Sequence, residues 1–272
     1  LQLLRGAGPK GLSAMATESQ LGLVTLIRPL LGVSQVDIVA YAKQHELQWM
    51  EDPSNVDTQW NRNYIRHNLW PMIEQRWPSA AKTLSRSAQH CAEASELMAE
   101  LAQQDLKIVL STKNSLSISA FLTLSAARQR NVLRYYIEGQ QFALPSTTTL
   151  QRVINEVCLA AEDKTPLVSW TGVEARRYQD DLYLMSPLTD YDHTYSAYCI
   201  APEPVILPNG DTLTWTNVVG EGLSAKVLSM RLNICFRRGG ERIVLAGQQN
   251  HKSLKNLFQQ WHVPAWQRER VP

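Results

Sequence analysis

Long hydrophobic runs, paired cysteines and the common metal or nucleophile motifs are all missing from this sequence of 272 residues. No stretch reaches the roughly eighteen apolar residues that a membrane-crossing helix needs, since the most apolar segment, 21–31, is broken by Arg28 and Pro29. The four cysteines, Cys91, Cys158, Cys199 and Cys235, form no C-x-x-C pair and have no histidine at zinc-finger spacing, which reads as a reduced, cytoplasmic chain. The six histidines never pair at i, i+4 around a glutamate, and G-x-S-x-G is absent. Metallohydrolase and serine-hydrolase chemistry therefore lack a foothold, and no metal is predicted. A basic n-region with an apolar core and cleavage site is missing too, and the first methionine is Met15, so the chain reads as the interior of a longer protein.

What remains is an ordinary globular composition, with 44% hydrophobic and 19% charged residues, long enough for two or three domains. The net charge is +2, but residues 231–272 hold six Arg, two Lys and two Glu, a local +6 that leaves −4 for everything before it. Such polarisation points to an anionic partner at the C-terminal end.

Residues 23–31 read as a short buried strand stopped by proline, and Ser34 with Asp37 forms a capping box for a helix through Ile38, Tyr41 and His45. Strand, loop and helix make an α/β unit. Glu51-Asp-Pro-Ser-Asn55 reads as a turn, followed by a helix through Tyr64, Ile65, Leu69 and Ile73. A long helix over 79–110 carries a stripe of Leu84, Ala88, Cys91, Met98 and Leu101, interrupted at Ser95 and Asp105. Two more helices are predicted over 125–138 and 148–161, then a small β-meander over 167–186 and a polar boundary at 190–196. Beyond it, Pro208-Asn-Gly-Asp211 marks a hairpin. The expected organisation is therefore multidomain: the remnant of an α/β domain over 1–78, a mainly helical domain over 79–190, and an incomplete α+β domain over 197–272.

Three constellations carry chemistry. Asp52-Pro-Ser-Asn55 followed by Asn61-Arg62-Asn63-Tyr-Ile-Arg66 feeds a polar loop onto a helix whose Arg62 and Arg66 share a face, an arrangement able to hold phosphate oxygens; it equally fits a solvated helix start with a surface ion pair. In Leu4-Arg5-Gly6-Ala-Gly8-Pro-Lys10-Gly11, glycines let backbone N–H groups approach a ligand beside two cations, although the segment matches neither G-x-x-x-x-G-K-[ST] nor G-x-G-x-x-G and also fits a plain connecting loop. At the C-terminal end, Arg237-Arg238-Gly-Gly-Glu241 precedes a helix with Leu254, Leu257, Phe258 and Trp261 on one stripe, leaving Lys252 and Lys255 outside it, as contact with a phosphate backbone requires. Arg128, Arg130 and Arg134 on the 125–138 helix could add phosphate contacts or form a solvated face.

Taken together, these segments resemble one family, the bacterial tRNA(Ile)-lysidine synthases, ATP-dependent ligases of the PP-loop group. The likeness also includes Ile27-Arg28-Pro-Leu-Leu31 and Val263-Pro-Ala-Trp266-Gln-Arg268-Glu-Arg270. It implies joining of the ε-amine of free L-lysine to C2 of the wobble cytidine in a tRNA(Ile) with a CAU anticodon. ATP, with Mg2+, first adenylates the base oxygen, so that AMP departs when the amine attacks, and decoding changes from methionine to isoleucine. By the resemblance, Arg5, Gly6, Gly8 and Arg28 lie near the catalytic cleft, with Arg5 among the catalytic residues and Gly6, Gly8 and Arg28 at the nucleotide, and Asp52, Asn55, Arg62, Asn63 and Arg66 form its polar wall. The basic residues Arg237, Arg238, Lys252, Lys255, Arg268 and Arg270 would meet tRNA, with the helical domain near the anticodon stem and the last domain near the acceptor stem. No membrane and no obligate protein partner is implied. The family's Ser-Gly-Gly-x-Asp-Ser loop precedes the segment that matches Leu1, and its members continue past 268–272. A fragment inactive on its own is thus expected. The rival readings are a noncatalytic tRNA-binding module and, less well matched without a C-x-x-C pair, a tRNA thiolation enzyme.

Overall fold

A computed structural model of the chain describes residues 1–161, 164–218, 222–228, 230–245 and 250–272. Two compact units emerge, Leu1–Gln104 and Asp105–Pro272.

In the first unit, a tight turn at Leu3–Arg5 closes on Gly6, whose φ of 71° suits a residue without Cβ, and leads to a helical turn at Pro9–Leu12. A hairpin follows, β1 (Glu18–Leu21) against β2 (Val24–Ile27), antiparallel with Leu21 opposite Val24, its loop entered through Gly22 at φ 63°. β2 is the strand anticipated within 23–31, but it is exposed along its whole length and not buried. Its single neighbour is β1, which the sequence reading missed because Glu18-Ser-Gln carries no apolar alternation, and among the described residues no second layer covers the pair. The α/β unit is thus built on an antiparallel ribbon. Helix α1 (Gln35–Gln44) starts as expected: the Ser34 hydroxyl accepts the Asp37 N–H at 3.1 Å and donates to its carboxylate at 2.6 Å.

A single turn at Pro53–Val56 precedes α2, which runs as Asn61–Tyr64, a wider π turn Ile65–Leu69, and Trp70–Arg76. The Trp70 N–H reaches back five residues to the Ile65 carbonyl, and Pro71, which has no N–H to give the ladder, follows directly. α3 (Ala80–Val109) ends in the second unit. Its expected stripe stays largely open to solvent, with Leu84 56% and Met98 40% exposed.

The second unit begins with the end of α3, β3 (Leu116–Ser117), α4 (Ile118–Leu122), α5 (Ala126–Gly139) and α6 (Thr147–Arg152, continuing as a π turn over Val153–Cys158). It continues with strands β4 (Leu167–Trp170), β5 (Val173–Tyr178) and β6 (Asp181–Met185). The sheet order is β3-β6-β5-β4, antiparallel throughout. Val132, Leu133, Tyr136 and Ile137 of α5, and Leu150, Val153, Ile154, Val157 and Cys158 of α6, are buried together with Val168, Ala175 and Leu182 of the sheet. The 3.6-residue periodicity that predicted these helices is thus the face that packs. Asp105, expected to interrupt the stripe of α3, is instead fully buried, and the Arg128 guanidinium grips it with Nε at 3.0 Å from Oδ2 and Nη2 on Oδ1.

β5 alternates buried and half-buried residues, so Val173, Ala175 and Arg177 face the helices while Glu174, Arg176 and Tyr178 face away. A second small core gathers Cys199, Leu207, Ile234 and Phe236 from β7 (Ser196–Cys199), the hairpin β8 (Val205–Ile206) with β9 (Thr212–Leu213), and β10 (Leu232–Cys235). Tyr191 and Tyr195, from the stretch read as a polar boundary, pack against it. Hairpin β11 (Arg242–Val244) with β12 (His251–Ser253), then α7 (Leu254–Gln260) and α8 (Ala265–Arg268), complete the chain. Among the described residues, no helix is long and apolar enough to cross a membrane.

Candidate functional site

In the first unit the polar loop and α2 are joined by side chain to backbone bonds. Asp52 caps the turn by accepting the Ser54 N–H at 2.8 Å, and that bond, with a further one from the Ser54 side chain, holds its carboxyl below the usual range. Asn63, 7% exposed, donates from Nδ2 to the Ser54 carbonyl at 2.8 Å and the Asp57 carbonyl at 2.9 Å. His67 Nε2 lies 2.9 Å from the Asn55 carbonyl. The loop is therefore pinned to the first turns of α2 at Asn63 and His67. Arg62 and Arg66, next to these two residues on the helix, are both exposed.

Arg62 and Arg66 line an open cavity of about 410 Å3 with Ile65, Trp70, Gln35 at the start of α1, and Leu1. Residues 62, 66 and 70 would drift around a regular α-helix by about 40° per step of four, while a π turn rotates the other way, so the turn at Ile65–Leu69 keeps all three on one side. Sequence reasoning missed Trp70 and Gln35. Pro71 marks a missing N–H in the ladder, but nothing in the hydrophobic pattern marks the π turn that brings Trp70 round.

The other residues expected at this site do not line that cavity. Arg5 closes the first turn, exposed; Gly6 adopts a positive φ; Gly8 caps the Pro9–Leu12 turn. Arg28 donates from Nη1 to the Ala16 carbonyl at 3.0 Å and to the Ser19 hydroxyl at 3.1 Å, bracing the hairpin.

In the second unit, the loop after β10 wraps its own carboxylate. Glu241 Oε1 accepts the N–H groups of Arg238 at 2.5 Å and Gly239 at 2.6 Å, and Arg237 Nε lies 3.4 Å from Oε2. Burial pushes the Glu241 carboxyl up, but the backbone donors of Glu241, Arg238 and Gly239 with the Arg237 charge outweigh it and bring it down. Gly239 and Gly240, at φ 95° and 87°, make this concave run of amides possible. The Arg238 guanidinium reaches the Thr194 carbonyl at 3.2 Å. Lys252, on β12, is half-buried and Lys255, on α7, exposed, while Leu257 and Phe258 are buried as the stripe predicted; Trp261 is 53% exposed and so lies outside it.

Arg128, Arg268 and Arg270 engage their guanidiniums with partners within the fold. Arg128 holds Asp105; Arg268 donates to the Val263 carbonyl at 2.8 Å and the Tyr178 hydroxyl at 2.9 Å; Arg270 donates to the Thr189 carbonyl at 2.7 Å and lies over the Tyr191 ring. Arg130 and Arg134 are half-buried on α5.

Comparison with known proteins accords with this geometry. The PP-loop domain is matched by residues 1–73, the TilS substrate binding domain by 116–183, and the TilS substrate C-terminal domain by 232–272. The whole chain is similar to the tRNA(Ile)-lysidine synthases of Coxiella burnetii (41% identical, covering 61% of that protein), Legionella pneumophila strain Paris (38%, covering 62%) and Vibrio cholerae strain O395 (36%, covering 62%). The chain thus spans about three-fifths of the length of these curated relatives. The matched domains follow one another in order, and the likeness to the tRNA(Ile)-lysidine synthases runs unbroken from one end of the chain to the other.

Proposed function

We propose that this chain supplies part of the catalytic cleft and the tRNA-holding surfaces of an ATP-dependent ligase that joins free L-lysine to C2 of the wobble cytidine of tRNA(Ile) with a CAU anticodon, in the cytoplasm. The observation that carries this reading is the arginine pair Arg62 and Arg66, held beside Trp70 in one open cavity by a loop that Asn63 and Asp52 pin in place. Two guanidiniums next to an aromatic wall suit a nucleotide, its phosphate between the charges and its base against the indole. Bound ATP supplies the adenylyl group that turns the C2 oxygen of cytosine into a leaving group. Arg62 and Arg66 bind phosphate oxygens, while Asp52, Asn55 and Asn63 act by holding the loop. Arg5, Gly6, Gly8 and Arg28 belong to the nucleotide side of the same domain. For Mg2+, no group of three or more His, Cys, Asp or Glu gathers among the described residues, and no step is assigned to it.

The roles follow the division into 1–78 for the nucleotide, 79–190 for the anticodon arm and 197–272 for the acceptor arm. Arg130 and Arg134 face the tRNA in the middle part, and Arg237, Arg238, Lys252 and Lys255 in the last. Titrating a tRNA(Ile) transcript onto the chain across a salt series tests this reading. Affinity is expected to fall steeply with salt and to weaken about tenfold or more when Arg237, Arg238, Lys252 and Lys255 are replaced together by Ala, while Arg62→Ala with Arg66→Ala is expected to lower lysine incorporation by the protein encoded by the complete gene. Salt-independent binding, binding untouched by the fourfold change, or full incorporation without the arginine pair overturns the reading. The activity itself is read by ATP-dependent incorporation of labelled lysine into the transcript by the protein encoded by the complete gene, and its absence there removes the ligase.

A further inference from the structure

The outer face of the four-stranded sheet is covered by the end of the chain. Arg176, Tyr178 and Tyr183 project from β5 and β6 on the side opposite the helices, and Trp266 of α8 lies among them. Its ring meets Tyr183 edge-on at 5.5 Å and Tyr178 at 6.2 Å, with the Arg176 guanidinium 5.5 Å from its centroid. Arg268 then ties both sides. Its Nε holds the Val263 carbonyl within its own segment, while Nη2 donates to the Tyr178 hydroxyl and the guanidinium lies 5.6 Å from the centre of that ring. Around this pair, Gln179 Nε2 meets His262 Nδ1 at 3.0 Å, the Tyr191 hydroxyl donates to the Glu269 carbonyl, and Arg270 donates to the Thr189 carbonyl.

We infer that Arg268, with Trp266, is a positioning residue: it rivets the segment 262–270 to the sheet, and so fixes the distance between the basic groups of α5 and those of the 237–255 region. The inference rests on the tRNA reading above, in which both groups meet one tRNA. Two weak patches held at the right separation bind a rigid ligand as one site, because the second contact forms at high effective concentration; on a loose joint that gain is lost although no contact is removed. A guanidinium is needed for this task. A rigid planar fork meets Val263 with Nε and Tyr178 with Nη2 in one fixed orientation, whereas a rotating ammonium on a flexible stem fixes no such orientation.

A phosphate-binding Arg268 and a positioning Arg268 give opposite results with Arg268→Lys, which keeps the charge and loses the fork. Affinity for the tRNA(Ile) transcript is measured from low to moderate salt for the wild-type chain, Arg268→Lys, Arg268→Ala and Tyr178→Phe. As a positioning residue, Arg268→Lys and Arg268→Ala each lose about tenfold in affinity at every salt concentration, with the slope of log K against log salt unchanged. Isolated hairpins of the anticodon arm and of the acceptor arm are then bound as tightly as by wild type. A slope shallower by about one unit in Arg268→Ala with wild-type binding by Arg268→Lys makes the residue a phosphate contact and overturns the inference. So does unchanged affinity in all variants. Where Arg268→Ala fails to fold, Tyr178→Phe, which removes only the hydroxyl acceptor, carries the test with an expected loss of a few-fold. Hydrogen exchange over 262–271 reads the joint without tRNA: Arg268→Lys is expected to speed it at least tenfold, and unchanged exchange sinks the rivet. If the wild-type chain binds no tRNA, the functional reading fails while this last measurement still decides the joint.

Discussion

Asn63 buries an amide whose hydrogens end on the Ser54 and Asp57 carbonyls, so its removal leaves two acceptors without their donor. Asn63→Ala is expected to cost about 1–2 kcal/mol of local stability, seen as faster exchange of the Asn55 and Asp57 amides. At Asp105 the burden falls unequally on the partners. Asp105 is fully buried, while the Arg128 side chain is 41% exposed and can turn to water. Arg128→Ala should therefore lower the melting temperature more than Asp105→Asn, which keeps an acceptor for the guanidinium; equal losses would contradict this account. The cysteines divide by environment. Burial pushes the Cys158 thiol up to about 12, whereas Cys235 is exposed. At pH 8, iodoacetamide should label Cys235 in the native chain and Cys158 only after unfolding, as mass spectrometry would read.

At the scale of elements, the loop 237–241 is built around one carboxylate. Because the folded Glu241 carboxyl titrates below its ordinary value of 4.5, the unfolded chain takes up the proton first. The loop is thus stabilised above that pH and loses this contribution as pH falls from there through the lower, folded value. Exchange of the Arg238 and Gly239 amides is expected to accelerate, relative to the intrinsic rate, below pH 4.5 and to be pH-independent in Glu241→Gln. The helices α5 and α6 were legible from periodicity, down to the residues they bury, because a helix that packs on one side must repeat its apolar residues every 3.6 positions. The hairpin partner β1 was not legible, since a solvent-covered ribbon places no demand on side-chain polarity. Nor was the π turn in α2, which no pattern of hydrophobicity marks. That turn is what places Trp70 beside Arg62 and Arg66, so the polar wall of the candidate site could be read in advance while its aromatic side could not.

On the scale of the whole molecule, the two units differ in how much they bury. Among the described residues of Leu1–Gln104, Asn63 and Ala102 fall in the buried class, against a continuous core in Asp105–Pro272. Amides of β2 and α1 should exchange at least a hundredfold faster than those of α5 and β5, and comparable protection would show the first unit to be firmer than its burial suggests. The sequence by itself determined the helices and turns, the basic character of the last forty residues and the arginine pair on α2, because spacing, caps and charge are local properties. Its motifs, dispersed along the chain, also carried the likeness to the tRNA(Ile)-lysidine synthases. Tertiary structure alone decided which arginines are free. Arg128 and Arg268 look like surface cations in a string of letters, and only the approach of Asp105 to one and Tyr178 to the other, 23 and 90 residues away in sequence, turns them inward. Long-range pairing of this kind depends on which faces a sheet and its neighbouring helices leave to be covered, and no local pattern records that.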